Sequence, residues 1–184
     1  METISPAELD EFTPTELQHM WRAGEISRHG IPGFEFYLPL DEPPTLRDRA
    51  RSLWSVRLEG RVVSGAAARW VYLGGSAPGV VEITRRSWRA TLDLPGVAPR
   101  YGTYAPREVR RLAGLTITSP ARTILDALEA GEFAAALELI AGLPVVHAID
   151  VVDAVDVAHG PEQSVEMRRV THLERELRDR QPVA

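Results

Sequence analysis

Five residues near the C-terminus recur at every third position: His147, Asp150, Asp153, Asp156 and His159. Imidazole and carboxylate are ligand types of a divalent metal site, so the spacing raises metal chemistry. Helix geometry argues against one shared ion. A step of three turns about 300°, so successive members drift by about 60° and the line swings about 240° between the two histidines. At most two or three of the five can face one point. The expected element is a helix packed along its Val, Ile and Ala positions, with the polar seam in water and Gly160-Pro161 as its stop. No metal and no other cofactor is expected.

Ser64 precedes Gly65, but positions 62 and 66 are Val and Ala, so the Gly-x-Ser-x-Gly elbow of a serine hydrolase is missing. Cysteine is absent, which removes disulfides, zinc fingers and thiol catalysis. Lysine is absent too, and all 21 basic residues are Arg. That removes P-loop, Schiff-base and kinase chemistry, and nucleases that need a Lys beside their carboxylates. An enzyme is not expected.

What remains is guanidinium chemistry. Arg85, Arg86 and Arg89 flank Trp88, and Arg107, Arg110 and Arg111 follow Tyr101 and Tyr104. Arg binds phosphate and aromatic rings stack on bases, so the cluster is a candidate nucleic-acid surface. The alternative is a set of solvated strand edges. Arg122 is placed oddly, in the first turn of the segment "SPARTILDAL", where helix partial charge is positive. It either reaches a carboxylate, Asp126 one turn on or Glu82 from a strand, or contacts a phosphate.

The net charge of −5 is unevenly spread. Residues 1–46 carry 2 Arg and 9 acids, residues 47–123 carry 14 Arg and 5 acids, and residues 124–184 carry 5 Arg and 12 acids. A basic middle between acidic ends either pairs internally or presents a face to an acidic partner. With 184 residues and 44% hydrophobic content, the chain suits one medium domain plus a small one. No long apolar run and no signal-peptide pattern occurs, so a soluble cytoplasmic protein without membrane association is expected.

The elements that must position these residues begin with two capping boxes, Ser5-Pro6-Ala7-Glu8 and Thr13-Pro14-Thr15-Glu16. They predict a short helix over 6–11 and a second over 14–23 stopped by Gly24, with Leu9, Phe12, Leu17, Met20 and Trp21 as a shared core. Strands are expected over 26–28 and 34–38, around a Gly-Ile-Pro-Gly turn. This order is that of a winged helix-turn-helix. In that fold the second helix enters the major groove, which makes Thr15, Gln18, His19 and Arg22 groove-facing and puts Arg28 and His29 on the wing. The surplus of acids here weakens phosphate contact, so the module either gets help from the basic middle or is kept for protein contact.

Pro43-Pro44 marks a linker beginning at Asp41. A helix is expected over 46–56, with Arg47, Arg49 and Arg51 on its polar side. Ser64 is expected to cap a small-residue helix that ends at Gly74-Gly75. Residues 80–84 read as a central strand, 101–104 as another, 106–112 as a short helix and 115–118 as a strand. Ser119 and Pro120 then open a helix whose apolar face is Ala121, Ile124, Leu125 and Leu128. Helices over 132–141 and 162–178 complete the chain.

The segments "GRVVSGAAARWVYLGG", "VVEITRR" and "YGTYAPREVRRLAGLTITSPARTILDAL" resemble, in order and spacing, actinobacterial AbiEi-type antitoxins. The most specific part is Thr118 to Leu128, and the similarity covers roughly residues 5–130. The resemblance implies an α+β fold: a small winged helix-turn-helix-like module over 1–40, an AbiEi-like mixed α/β domain over 46–130, and a helical C-terminal extension over 131–184. It implies an antitoxin and transcriptional autoregulator that binds operator DNA and opposes a nucleotidyltransferase toxin. The alternative is a module of the same family that contacts only protein.

Overall fold

The structure, a computed structural model, describes residues 9, 11–57, 60–85 and 94–143. The expected helix over 6–11, the His/Asp series over 147–159 and the helix over 162–178 fall wholly or mostly outside these residues. The chain is a mixed α+β protein and divides after Thr118 into two compact units.

Helix α1 runs Pro14–Ala23, as its capping residues dictate. Thr13 N–H donates to Glu16 Oε2 at 2.7 Å, and Glu16 N–H donates back to Thr13 Oγ1 at 3.3 Å. Its inner face joins Leu17 to Leu9, Ile26 and Tyr37, with Met20 and Trp21 packed against them. Phe12, expected in that core, is 40% exposed. Strands β1 (Ile26–Ile31) and β2 (Phe34–Pro39) form an antiparallel hairpin. Ile31 pairs with Phe34, so the turn shrinks to Pro32-Gly33, a pair suited to a type II turn, and β1 runs three residues past its expected end. The tip of this hairpin is pressed onto the segment before β5. A Cβ built on Gly96 would lie 2.9 Å from the Pro32 carbonyl oxygen and 3.3 Å from the Phe34 ring. The expected domain boundary after residue 40 therefore lies inside the first unit.

Helix α2 (Leu46–Ser52) is shorter than expected and gives way to a 3-10 turn at Trp54–Val56. Strand β3 (Arg61–Val63) leads into helix α3 (Gly65–Leu73), then β4 (Val81–Arg85) and β5 (Val97–Tyr101). A 3-10 turn at Pro106–Glu108 precedes β6 (Val109–Leu112) and β7 (Leu115–Thr118). The five strands form one sheet in the order β5-β4-β3-β7-β6. Pairs β4–β5 and β3–β7 are parallel, while β3–β4 and β6–β7 are antiparallel.

Strand β4 is flanked on both sides, by β5 and β3, as expected of a central strand. Two expectations are corrected here. The strand expected over 101–104 lies earlier, at Val97–Tyr101, and contains Pro99; β5 is an edge strand, where a residue without an N–H does no damage. The helix expected over 106–112 is one turn followed by a strand. Arg110 and Arg111 are paired with Ile117 and Thr116 of β7 across the tight Ala113-Gly114 turn, and that pairing overrides the local helical pattern.

In the second unit, α4 (Pro120–Glu129) packs on α5 (Phe133–Gly142). Ser119 Oγ accepts the Arg122 N–H at 3.2 Å, and Pro120 takes the first helical position. Ile124, Leu125, Ala136, Leu139 and Ile140 are buried. Among the described residues no helix is long and apolar enough to cross a membrane.

Candidate nucleic-acid interface

On α1, Thr15, Gln18, His19 and Arg22 are all exposed. Their spacing of i, i+3, i+4, i+7 puts them on one face, opposite the buried Leu17. The hydrogen bonds from Thr13, the backbone one first, hold the Glu16 carboxyl below its ordinary pKa, so the helix start stays anionic. On β1 the exposed Arg28 guanidinium lies 3.8 Å from the centroid of the Trp21 ring and so links hairpin to helix. His29 is half-buried, with Nε2 2.8 Å from Ser27 Oγ and its ring 5.7 Å from Phe36. The Ser27 hydroxyl donates to the Leu38 carbonyl at 3.1 Å, which assigns the proton of that contact to Nε2. Burial lowers the His29 pKa, so the imidazole is held neutral at neutral pH. The α1 face, Arg28 and His29 thus sit on adjacent elements, as the sequence expects.

The cations of the sheet are not brought together in the same way. Arg85 is 8% exposed, with NH2 3.3 Å from the Tyr101 hydroxyl and its guanidinium carbon 5.4 Å from that ring. Arg107 is exposed on the 3-10 turn. Arg110 and Arg111 are neighbours on β6 and therefore point to opposite faces of the sheet. Strand β6 and strand β5 are opposite edges, so Arg107, Arg110 and Arg111 are separated from the Arg85 end by the width of the sheet. Arg110 lies close enough to Tyr72 to oppose, weakly, the burial that raises that phenol's pKa; the Tyr72 hydroxyl donates to the Thr118 carbonyl at 2.6 Å. Arg86 and Arg89 lie outside the described residues.

Other cations of the basic middle have structural work. Arg49 was expected on the polar side of its helix and is instead 7% exposed. It donates to the carbonyls of Val71 (3.0 Å), Pro44 (2.7 Å) and Tyr72 (3.4 Å), closing the C-terminal end of α3. Arg100 NH1 lies 3.9 Å from Glu82. Arg122 is held by acids of its own helix: Nε donates to Asp126 Oδ1 at 2.7 Å and NH2 to Glu129 Oε2 at 2.6 Å. Burial works to lower its pKa, but Asp126 and then Glu129 outweigh it and the net shift is upward. Of the two carboxylates considered for Arg122, Asp126 is the partner found.

Glu82 has a different task. Ser64 occupies the N-cap position of α3, but its side chain makes no capping bond. The Ser64 hydroxyl instead pairs with Thr84 Oγ1 at 2.9 Å, and the Glu82 carboxylate accepts the Ala66 N–H at 2.7 Å. A strand residue therefore caps the helix, a long-range substitution that no local pattern signals. Sequence reasoning also passed over Arg61. It is the cross-strand partner of Arg85, and its NH1 is buried with no hydrogen-bond partner. The signal was available only from strand pairing.

Among the described residues no group of three or more His, Asp or Glu side chains is arranged to hold a metal ion. Comparison of the chain with protein-family models, with curated proteins and with solved structures finds no match in any of the three.

Proposed function

We propose that the chain is a DNA-binding regulator and antitoxin of the AbiEi type, in which α1 and the β1–β2 hairpin act as a winged-helix-like head. The observation that supports this best is the α1 face. Thr15, Gln18, His19 and Arg22 are exposed together, with Arg28 stacked on Trp21 beside them. Gln is a side chain that reads base edges in the major groove, and Arg22 and Arg28 are the exposed cations beside it that would meet phosphates. The hairpin tip is occupied by its contact with Gly96, so contact from the hairpin comes from the β1 strand rather than the turn. In this reading the operator is met by the head alone, in the cytoplasm, and the sheet unit opposes a nucleotidyltransferase toxin.

The internal use of Arg49 and Arg122 favours a second reading, a family member that contacts only protein. A mobility shift with DNA from upstream of the gene separates the two. With Arg22 and Arg28 as the phosphate contacts, log affinity falls against log salt with a slope of about −2. Arg22→Ala abolishes retention in the DNA-binding reading. No retention of the parent chain at low salt leaves the protein-only reading. A slope of about −6 transfers the main contact to the sheet cations.

A further inference from the structure

The register of the sheet places Arg61, Arg85 and Tyr101 in one row. Arg61 of β3 is the cross-strand partner of Arg85 of β4, and Arg85 is the partner of Tyr101 of β5. Partners in register project from the same face, so three side chains from three strands stand side by side at one end of the sheet. That end is the carboxyl end of the parallel pair β4–β5, where open α/β sheets bind ligands.

Each member has a property that folding alone does not require. Two guanidinium groups meet in one cross-strand pair, a concentration of anion-binding donors. Arg61 NH1 is nevertheless buried with no hydrogen-bond partner, leaving strong donors unused. Tyr101 is 61% exposed, the most exposed aromatic side chain in the described core elements, and Arg85 lies against it. Arg100, the neighbour of Tyr101, faces the other side of the sheet and is engaged there by Glu82. An anion beside Arg61 uses the idle donors. A flat ring attached to that anion finds the open side of Tyr101.

We propose that this row binds a nucleotide, its phosphate held by Arg61 with Arg85 and its base stacked on Tyr101. The chemistry is that of a phosphate beside a base, whether free or within a single strand. The site is separate from the α1 face and does not depend on the head reading duplex DNA.

Titration calorimetry on the full chain tests this, with thymidine 5′-monophosphate, inorganic phosphate and a short oligothymidylate as probes. The parent chain is expected to bind the nucleotide saturably at millimolar concentration or below. Tyr101→Leu, a change at an exposed position, weakens the nucleotide about tenfold and leaves inorganic phosphate unchanged. Arg61→Gln removes both. Arg22→Ala alters neither, which separates this site from the head. Tighter binding of the oligothymidylate assigns the site to single strands, and equal binding assigns it to free nucleotide. Absence of saturable binding by the parent, or nucleotide binding that Tyr101→Leu leaves at the parent level, overturns the proposal. Tyr101→Leu carries the test if Arg61→Gln does not fold.

Discussion

Arg49 donates from Nε to the carbonyl oxygen of Val71 at 3.0 Å, so a side chain of α2 closes the open end of α3. The last turn of a helix leaves carbonyls without partners, and a buried cation there meets both the hydrogen-bond need and the helix dipole. Burial lowers the Arg49 pKa, with Asp48 acting the other way, yet a guanidinium remains charged. Arg49→Met is expected to cost about 2–4 kcal/mol in urea unfolding, because the Val71, Pro44 and Tyr72 carbonyls lose charged donors. Arg49→Lys recovers less than half of that, since a single ammonium cannot span the three acceptors. A loss under about 0.5 kcal/mol for the Met variant contradicts this role.

Arg122 and Asp126 form the second such test. Asp126 is buried, so removing Arg122 takes a charged donor from a carboxylate that water reaches poorly. Arg122→Ala is expected to cost about 2–3 kcal/mol, while Glu129→Ala costs under about 1 kcal/mol because Glu129 is half-exposed. The Arg122 pKa rises on folding, so its contribution is fully present below the ordinary guanidinium pKa and is lost only at higher pH. The difference between parent and Arg122→Ala melting temperatures therefore stays constant through the neutral and mildly alkaline range. DNA retention by Arg122→Ala matches the parent.

Gly65 and Glu82 make the cap of α3 sensitive to a single methyl group. Gly65 has a φ of +58°, and a Cβ there would collide with the Glu82 carboxylate oxygen. Gly65→Ala is expected to lose about 2 kcal/mol or more, combining backbone strain with displacement of the cap. Glu82→Gln keeps an acceptor for the Ala66 N–H and costs under about 1 kcal/mol; Glu82→Ala costs about 1–2 kcal/mol. Thermal unfolding of the three variants ranks them directly.

His29 gives the hairpin a pH dependence. Its pKa is lower folded than unfolded because the ring is half-buried, so the unfolded chain binds more protons as pH falls. Its favourable contribution is present above about pH 6.5 and is lost as pH falls through the folded value. His29→Gln is expected to flatten the decline in melting temperature between about pH 7 and pH 5. An equal decline in parent and variant shows that the imidazole is not responsible.

Much of the framework was legible where local chemistry decides it. Thr13 and Glu16 set the start of α1, and Ser119 and Pro120 set the start of α4, because caps act within four residues. The exposed face of Thr15, Gln18, His19 and Arg22 followed from helical period alone. Strand β6 was missed because Val109–Leu112 becomes a strand only by pairing with β7. Arg49 was misplaced for the same reason: two of its three partners are 22 and 23 residues away. The row of Arg61, Arg85 and Tyr101 was invisible in the sequence, since the residues are far apart along the chain and meet only through sheet register.

The close approach of Pro32 to Gly96 ties the β1–β2 hairpin, and α1 packed on it, to the segment that leads into β5. The proline-rich stretch after β2 therefore does not act as a swivel, and a displacement of α1 is transmitted to β5 and its neighbours. The lack of a side chain at position 96 is what permits this approach, so any bulk added there decides whether helix, hairpin and sheet edge keep one orientation.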